Sequence, residues 1–145
     1  MYRHILIPTD GSELAEHAVT NGLSLAKSLG AKVTVIIVVE PFDWLGAAQP
    51  GAFAEFAKLT EQIKKHATSV LNRVSAAAKQ AGMSCDTVQV DDVRPHQAII
   101  ATAADRGCDL IVMASHGRSG LSALVLGSVT SKVLTHTKTP VLVCQ

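Results

Sequence analysis

The sequence predicts a single α/β domain over residues 1–145, in which a doubly wound, five-stranded parallel sheet carries helices on both faces. Apolar strand-like runs alternate with amphipathic helical segments in the order β-α-β-α-β-α-β-α-β. Several of these runs are apolar without interruption, as strands buried on both faces are, and 145 residues is the usual size of one domain. Right-handed crossovers in such a fold place a ligand crevice at the carboxyl ends of the strands.

The first half of the chain supplies two strands and the helix between them. Residues 5–7 form a short apolar run, and residues 33–39 form a β-branched run that ends at Glu40. The helix between them ends at Gly30, and its apolar stripe comprises Leu14, Ala18, Gly22, Leu25 and Leu29. Residues 42–55 combine glycine, proline and the single tryptophan, so we expect a long connection there that is a lid, a binding loop (for the cavity or a partner) or a disordered span.

A long amphipathic helix follows this connection and ends at Gly82. Its apolar stripe comprises Leu59, Ile63, Ala67, Val70, Val74, Ala77 and Ala81. Val88 and Val90 then alternate with polar residues, which predicts a half-exposed edge strand. The third helix is expected to begin near Pro95, because proline is favoured in the first helical turn.

The last third of the chain contains the most hydrophobic strand. Residues 109–114 are expected at the centre of the sheet for that reason, and a helix is predicted near residues 128–136. Residues 140–144 form the last strand, which no later segment covers. An uncovered edge favours pairing with a second copy, so we expect a homodimer through the C-terminal strand.

Composition argues against several classes of partner. The net charge is +1 and the cations are scattered among acids, so no nucleic-acid partner is expected. No apolar run reaches the ~18 residues of a membrane span, and the N-terminus lacks the pattern of a signal peptide. The three cysteines show no CxxC pairing, which favours a reduced compartment. We therefore expect a cytoplasmic protein without membrane association.

Two loops are expected to meet where the central strands end. The first carries Asp10, a candidate for binding a ribose hydroxyl or a metal ion held by phosphates, with an Asx turn as an equally good alternative. The second begins at Ala114, passes Gly117 and ends at Gly127 and Ser128. Glycines let the backbone approach a ligand, and a helix that begins at this point offers N–H groups and a dipole that favour an anion.

Other nucleotide and hydrolase motifs are absent. There is no P-loop motif, no G-x-G-x-x-G after the first strand, and no G-x-S-x-G that would make Ser119 a nucleophile. His116 and Arg118 could contact a phosphate, but a backbone-orienting or solvent-facing role is an equal or better interpretation. The six histidines lack the helical spacing of zinc ligands. A receiver-like signalling domain would need a pair of acidic residues after the first strand. The sequence has only one there, Asp10.

Five blocks give the chain a resemblance to the universal stress protein family along essentially its whole length. They are ILIPTDGS at 5–12, VTVIIVVEP at 33–41, DLIVMASHGRSG at 109–120, LGSV at 126–129 and TPVLV at 139–143. The motif of the family's ATP-binding branch is Gly-x-x-Gly, nine residues, then Gly-[Ser/Thr]. Gly117, Gly127 and Ser128 match this motif at the right spacing, and Ala114 stands where its first glycine would be.

The resemblance implies a Rossmann-like, dimeric module that binds ATP or a related adenine nucleotide (ADP or AMP), with Mg²⁺, in stress response or signalling. It gives Asp10 a ribose or metal role and Val129 a backbone N–H for the phosphates. Turnover is expected to be slow at most, since no paired base or arginine finger is evident. The alternative is a nucleotide-free dimeric interaction scaffold in which Ala114 marks a degenerate site. In the nucleotide-binding interpretation, the resemblance implies an adenine pocket lined by Pro8, Val38 and Met113.

Overall fold

Strands and helices alternate along the described chain, which comprises residues 1–41, 52–117 and 125–145 of a computed structural model. The elements are β1 His4–Pro8, α1 Glu13–Leu29, β2 Lys32–Val39, α2 Ala52–Gln80, β3 Asp86–Asp91, α3 Pro95–Asp105, β4 Leu110–Ala114, α4 Ser128–His136 and β5 Val141–Cys144. The strands form one sheet in the order β3-β2-β1-β4-β5, and every neighbouring pair is parallel. The predicted five-stranded parallel α/β architecture is confirmed.

The middle strand, β1, separates two hydrophobic cores. Its side chains alternate between the faces, so that Ile5 and Ile7 pack with α1 and α2 while Leu6 packs with α3 and α4. All three residues are completely buried. Two helices therefore cover each face of the sheet, which explains why the interior strands are largely apolar and do not alternate, unlike the edge strand β3.

Helix α1 shows why the local sequence signals were readable. The Ser12 hydroxyl accepts a hydrogen bond from the Ala15 N–H at 3.3 Å, and Glu13 and Glu16 lie in the positive first turn. At the other end Gly30 adopts a left-handed conformation with φ of 64°. Both ends of α1 are thus specified by residues with a defined capping function.

Two expectations need correction, and one alternative is removed. β4 is entirely buried but lies beside the central strand, which is β1. Residues 52–55, expected in a connection, already belong to α2, and residues 42–51 lie outside the described residues. The strand order also differs from the 2-1-3-4-5 order of receiver-type domains, which removes that rival.

The two outer strands differ in how they end the sheet. β3 is half-exposed, as the alternation of Val88 and Val90 predicts. β5 lies at the opposite edge, where the side chain of Leu142 is 44% exposed. Within the part of the chain that the structure describes, no strand pairs with the outer edge of β5.

A carboxylate clamps the start of β1 to the start of β4. The Asp109 carboxylate accepts the Arg3 N–H at 2.9 and 3.0 Å and the His4 N–H at 3.0 Å. The hydrogen bond from His4, followed by that from Arg3, holds the pKa of Asp109 below its usual range, against the opposing effect of burial. The clamp therefore favours the ionised carboxylate in the folded protein.

We predict that Asp109→Asn lowers the free energy of unfolding by about 1 kcal/mol at neutral pH, because it weakens these charge-assisted hydrogen bonds. A depressed folded-state pKa contributes stability that is present above the unfolded pKa and is lost as pH falls through the folded pKa. The difference between the two proteins should therefore shrink as pH falls below about 4. Urea unfolding at several pH values between 7 and 3 measures it; a pH-independent difference would contradict the clamp.

Candidate functional site

A cavity of about 690 Å³ opens at the carboxyl edge of the sheet. Strand β1 pairs with β2 on one side and with β4 on the other, so the strand order changes direction at β1. The cavity lies at this switch point, which is where doubly wound sheets bind ligands. All nine residues singled out in the sequence line this one cavity: Pro8, Asp10, Val38, Met113, Ala114, Gly117, Gly127, Ser128 and Val129.

Asp10 has a structural role and also lines the cavity. Its Oδ1 accepts the Ser12 N–H at 2.9 Å, which is the Asx turn that the sequence left open. The same carboxylate lies against Gly117, where an added Cβ would collide with Oδ2. Glycine at 117 therefore lets the second loop approach the first, and the Asp10 carboxylate stays at the cavity wall.

Gly127 brings the start of α4 against the end of β4. Its N–H donates to the Ser115 carbonyl oxygen at 2.7 Å. A Cβ on Gly127 would lie 2.9 Å from the His116 Cα, closer than real Cβ atoms approach backbone. Glycine is thus needed here for packing, whatever the cavity binds, so a bulky residue at 127 would disturb the loop as well as any ligand.

The N-terminus of α4 carries a partial positive charge that no side chain of the helix neutralises. Its cap residue, Gly127, has no side chain to bind the first N–H groups, and its first turn contains no acidic residue. The start of α1 provides the contrast, with the Ser12 cap and two glutamates. Both helices begin at the same edge of the sheet, but only α4 retains the partial positive charge that favours an anion.

Thr130 fixes that helix to the sheet. Its side chain is 2% exposed, and its hydroxyl donates to the Ala114 carbonyl oxygen at 2.8 Å. The hydrogen bond ties the first turn of α4 to the last residue of β4, so that the helix start and the strand end form one rigid wall of the cavity.

We predict that Thr130→Val destabilises the protein by about 1–2 kcal/mol, because the isosteric side chain leaves a buried carbonyl oxygen without its donor. Thr130→Ser keeps the hydroxyl and should retain most of the wild-type stability, apart from the cost of one lost methyl group. Thermal and urea unfolding of both variants measure the effect. Wild-type stability in Thr130→Val together with a loss in Thr130→Ser would show that packing of the methyl, and not the hydrogen bond, matters at this position.

The apolar residues of the cavity divide between the two faces of the sheet. Val38 and Met113 pack against the α3–α4 core, together with Ile36 and Ile99. Ala114, the next residue along β4, packs into the α1–α2 core. The methyl group that replaces the first motif glycine is therefore directed to the opposite face from Val38 and Met113.

One wall of the cavity was missed in the sequence. Side chains from the middle of α2 line it: Leu59, Gln62, Ile63, His66 and Ala67. Leu59 and Ile63 belong to the predicted apolar stripe, but Leu59 is 39% exposed, so the stripe extends beyond the part of α2 that packs on the sheet. Arg118 and Ser119 lie outside the described residues.

The described ranges contain no cluster of metal ligands and no membrane-spanning helix. There, no three His, Cys, Asp or Glu side chains are grouped closely enough to hold a metal ion by themselves. Across the same residues, none of the helices combines the length and the apolar character needed to cross a bilayer. Burial raises the pKa of the Cys108 thiol to about 11, so this cysteine is an unreactive core residue.

The fold is shared with known proteins. Universal stress protein MJ0531 of Methanocaldococcus jannaschii is 32% identical over 99% of this chain and 82% of its own. The solved structure of MJ0577 from the same organism superposes with a TM-score of 0.82 at 28% identity, covering 99% of this chain and 96% of that one. A universal stress protein solved with cAMP has a TM-score of 0.73 at 25% identity, with 99% and 97% covered.

A family model confirms the relationship over the full length. The Universal stress protein family model matches residues 1–145. The same span contains the five blocks that carry the resemblance, and four of these blocks contribute residues to the cavity. The chain belongs to the universal stress protein family.

Proposed function

We propose that this protein binds ATP or a related adenine nucleotide in the cavity at the carboxyl edge of the sheet, and that nucleotide occupancy controls its interactions in stress response or signalling in the cytoplasm. The observation that carries the proposal is the start of α4, a helix N-terminus with neither a side-chain cap nor an acid, that faces a cavity with an apolar wall. A family member solved with cAMP supports an adenine nucleotide as the ligand class.

The phosphates are assigned to α4. The first N–H groups of an α-helix, here including that of Val129, have no carbonyl partner within the helix. The Ser128 hydroxyl adds another donor at the cavity wall. Ser128 is exposed, so a phosphate can reach it without repacking the core. Thr130 keeps this donor set in place through its hydrogen bond to β4.

The base is assigned to the α3–α4 face. Val38 and Met113 present apolar surface from neighbouring parts of the sheet edge, and Pro8 ends β1 between them. An adenine ring buries its apolar faces against such side chains. Because the Ala114 side chain lies on the opposite face, we expect its extra methyl group to be compatible with a base in this position.

Asp10 is the residue proposed to hold Mg²⁺. A single carboxylate together with phosphate oxygens is the ordinary way in which proteins bind this ion, and Asp10 lines the cavity beside Gly117. The ion would neutralise phosphate charge. The chain's own contribution is to orient the carboxylate through the Ser12 N–H.

Binding is proposed to regulate assembly more than to drive hydrolysis, because the sequence shows no arginine finger. The exposed edge of β5, with Leu142 at its centre, is the surface that we propose for a homodimer. Gel filtration coupled to light scattering, with Leu142→Lys as the disrupting variant, tests that assembly.

Two measurements test the ligand. Freshly purified protein is denatured and the supernatant is chromatographed for released nucleotide, and ligand-free protein is titrated calorimetrically with ATP, ADP, AMP and GTP, with and without Mg²⁺. The proposal expects saturable binding of adenine nucleotides and weaker binding of GTP. If no adenine nucleotide is carried or bound at millimolar concentration, the nucleotide-free scaffold becomes the better account of the fold.

A further inference from the structure

A buried serine and a half-buried histidine form a side-chain pair in the loop after β4. The Oγ atom of Ser115 lies 3.1 Å from the Nδ1 atom of His116, and Ser115 is 6% exposed. His116 lines the cavity between Gly117 and the start of α4. The sequence alone favoured a solvent-facing or backbone-orienting role for this histidine.

The backbone leaves this pair little freedom. The Ser115 N–H donates to the Cys144 carbonyl oxygen at 2.8 Å, and the Ser115 carbonyl accepts from Gly127 at 2.7 Å. The His116 Cα packs so closely on Gly127 that no Cβ fits between them. Ser115 is thus held by β5 and α4 together, and it anchors the imidazole from a fixed position.

The chemistry of the ring then decides what His116 can offer. With Nδ1 occupied by the serine hydroxyl, Nε2 is the nitrogen left for a ligand. A neutral imidazole carries one proton, and an anion at Nε2 selects the tautomer that has the proton there. In that tautomer the Ser115 hydroxyl donates to Nδ1, so the pair presents an N–H donor to an anion.

We propose that His116 contacts the phosphate of the bound nucleotide through Nε2–H, and that Ser115 sets its tautomer and orientation. The pair makes the site select phosphorylated adenine ligands over the nucleoside. This inference rests on the proposed function and deepens it, because it names a side chain that reads the phosphate in addition to the N–H groups of α4.

The test replaces the ring with amides that mimic one nitrogen each. The amide nitrogen of His116→Gln can occupy the position of Nε2, whereas that of His116→Asn reaches only the position of Nδ1. Ser115→Ala removes the orienting hydroxyl. His17→Asn, an exposed histidine of α1, is the matched control. Calorimetric titration with ATP, AMP and adenosine gives Kd for each protein, and circular dichroism verifies that each is folded.

We expect His116→Asn to raise Kd about tenfold or more for ATP and AMP, which corresponds to roughly 1.4 kcal/mol, and to leave adenosine binding unchanged. His116→Gln should bind close to wild type, and Ser115→Ala should fall between the two. Long-range ¹H–¹⁵N spectra of the imidazole should show the Nε2–H tautomer when ATP is added.

Three results overturn the inference while leaving nucleotide binding intact. One is ATP affinity in His116→Asn equal to wild type. Another is an equal loss for ATP and adenosine, which would indicate a structural role. The third is a wild-type protein that binds adenosine as tightly as ATP, which would mean that the phosphate contributes nothing to the affinity. Absence of any adenine-nucleotide binding by the wild type rejects the proposed function itself and this inference with it.

Discussion

Ser128→Glu is expected to weaken ATP binding by at least about 100-fold while leaving the protein fully folded. Position 128 is the first residue of α4 and is exposed, and an acidic side chain there interacts favourably with the helix dipole by about 0.3–1 kcal/mol. The same charge would lie within a few ångströms of the proposed phosphates, where repulsion costs roughly 3–4 kcal/mol. Stability and binding should therefore change in opposite directions.

Ser131→Glu is the matched control for this prediction. Ser131 is exposed one turn further along α4 and is not among the residues that line the cavity, and its replacement changes the net charge equally. Thermal unfolding and calorimetric titration with ATP measure both variants. Binding by Ser128→Glu within tenfold of wild type, or an equal loss in Ser131→Glu, would show that the phosphates do not lie at the start of α4.

Leu6→Ala is expected to cost about 3 kcal/mol of the free energy of unfolding, within the range of roughly 2–5 for buried leucines. Leu6 is completely buried on the middle strand, and it packs in the same core as Ile111 and Met113. Rigid strands on both sides of β1 limit how far the structure can close the resulting cavity. Urea unfolding followed by circular dichroism gives the value.

Val93→Ala provides the comparison, because Val93 is 65% exposed and should change stability by no more than about 0.5 kcal/mol. A loss below 1 kcal/mol in Leu6→Ala, or similar losses in the two variants, would mean that β1 does not occupy the centre of the sheet. The location of β1 matters for the site, since Asp10 follows directly from it.

The fold was predictable where one residue type has one physical consequence. Gly30 ends α1 because only glycine adopts its left-handed conformation without strain, and Ser12 begins that helix as a cap. The predicted position of β4 was wrong because strand hydrophobicity reports only that both faces are buried. All three interior strands, β2, β1 and β4, meet that condition, so hydrophobicity does not identify the central one. The start of α2 was placed late because nearby glycine and proline obscured the helical pattern.

The candidate site was predictable in its members but not in its contacts. Loops that follow neighbouring parallel strands must meet, so Asp10 and Gly117 could be brought together from the sequence. The hydrogen bond between Ser115 and His116, and the attachment of Thr130 to Ala114, depend on side-chain placement. No spacing rule in the sequence predicts either contact. These two contacts fix the positions of the donors that we assign to the phosphates.

The most direct test of the central claim is a titration of ¹⁵N-labelled protein with ATP, followed by the backbone amide resonances of each residue. If the nucleotide phosphates bind at the start of α4, the largest shifts will fall on residues 127–130, with further shifts at His116, Gly117 and the loop around Asp10. Shifts that cluster on β3 or on the C-terminal half of α2, or no shifts at millimolar ATP, would contradict it.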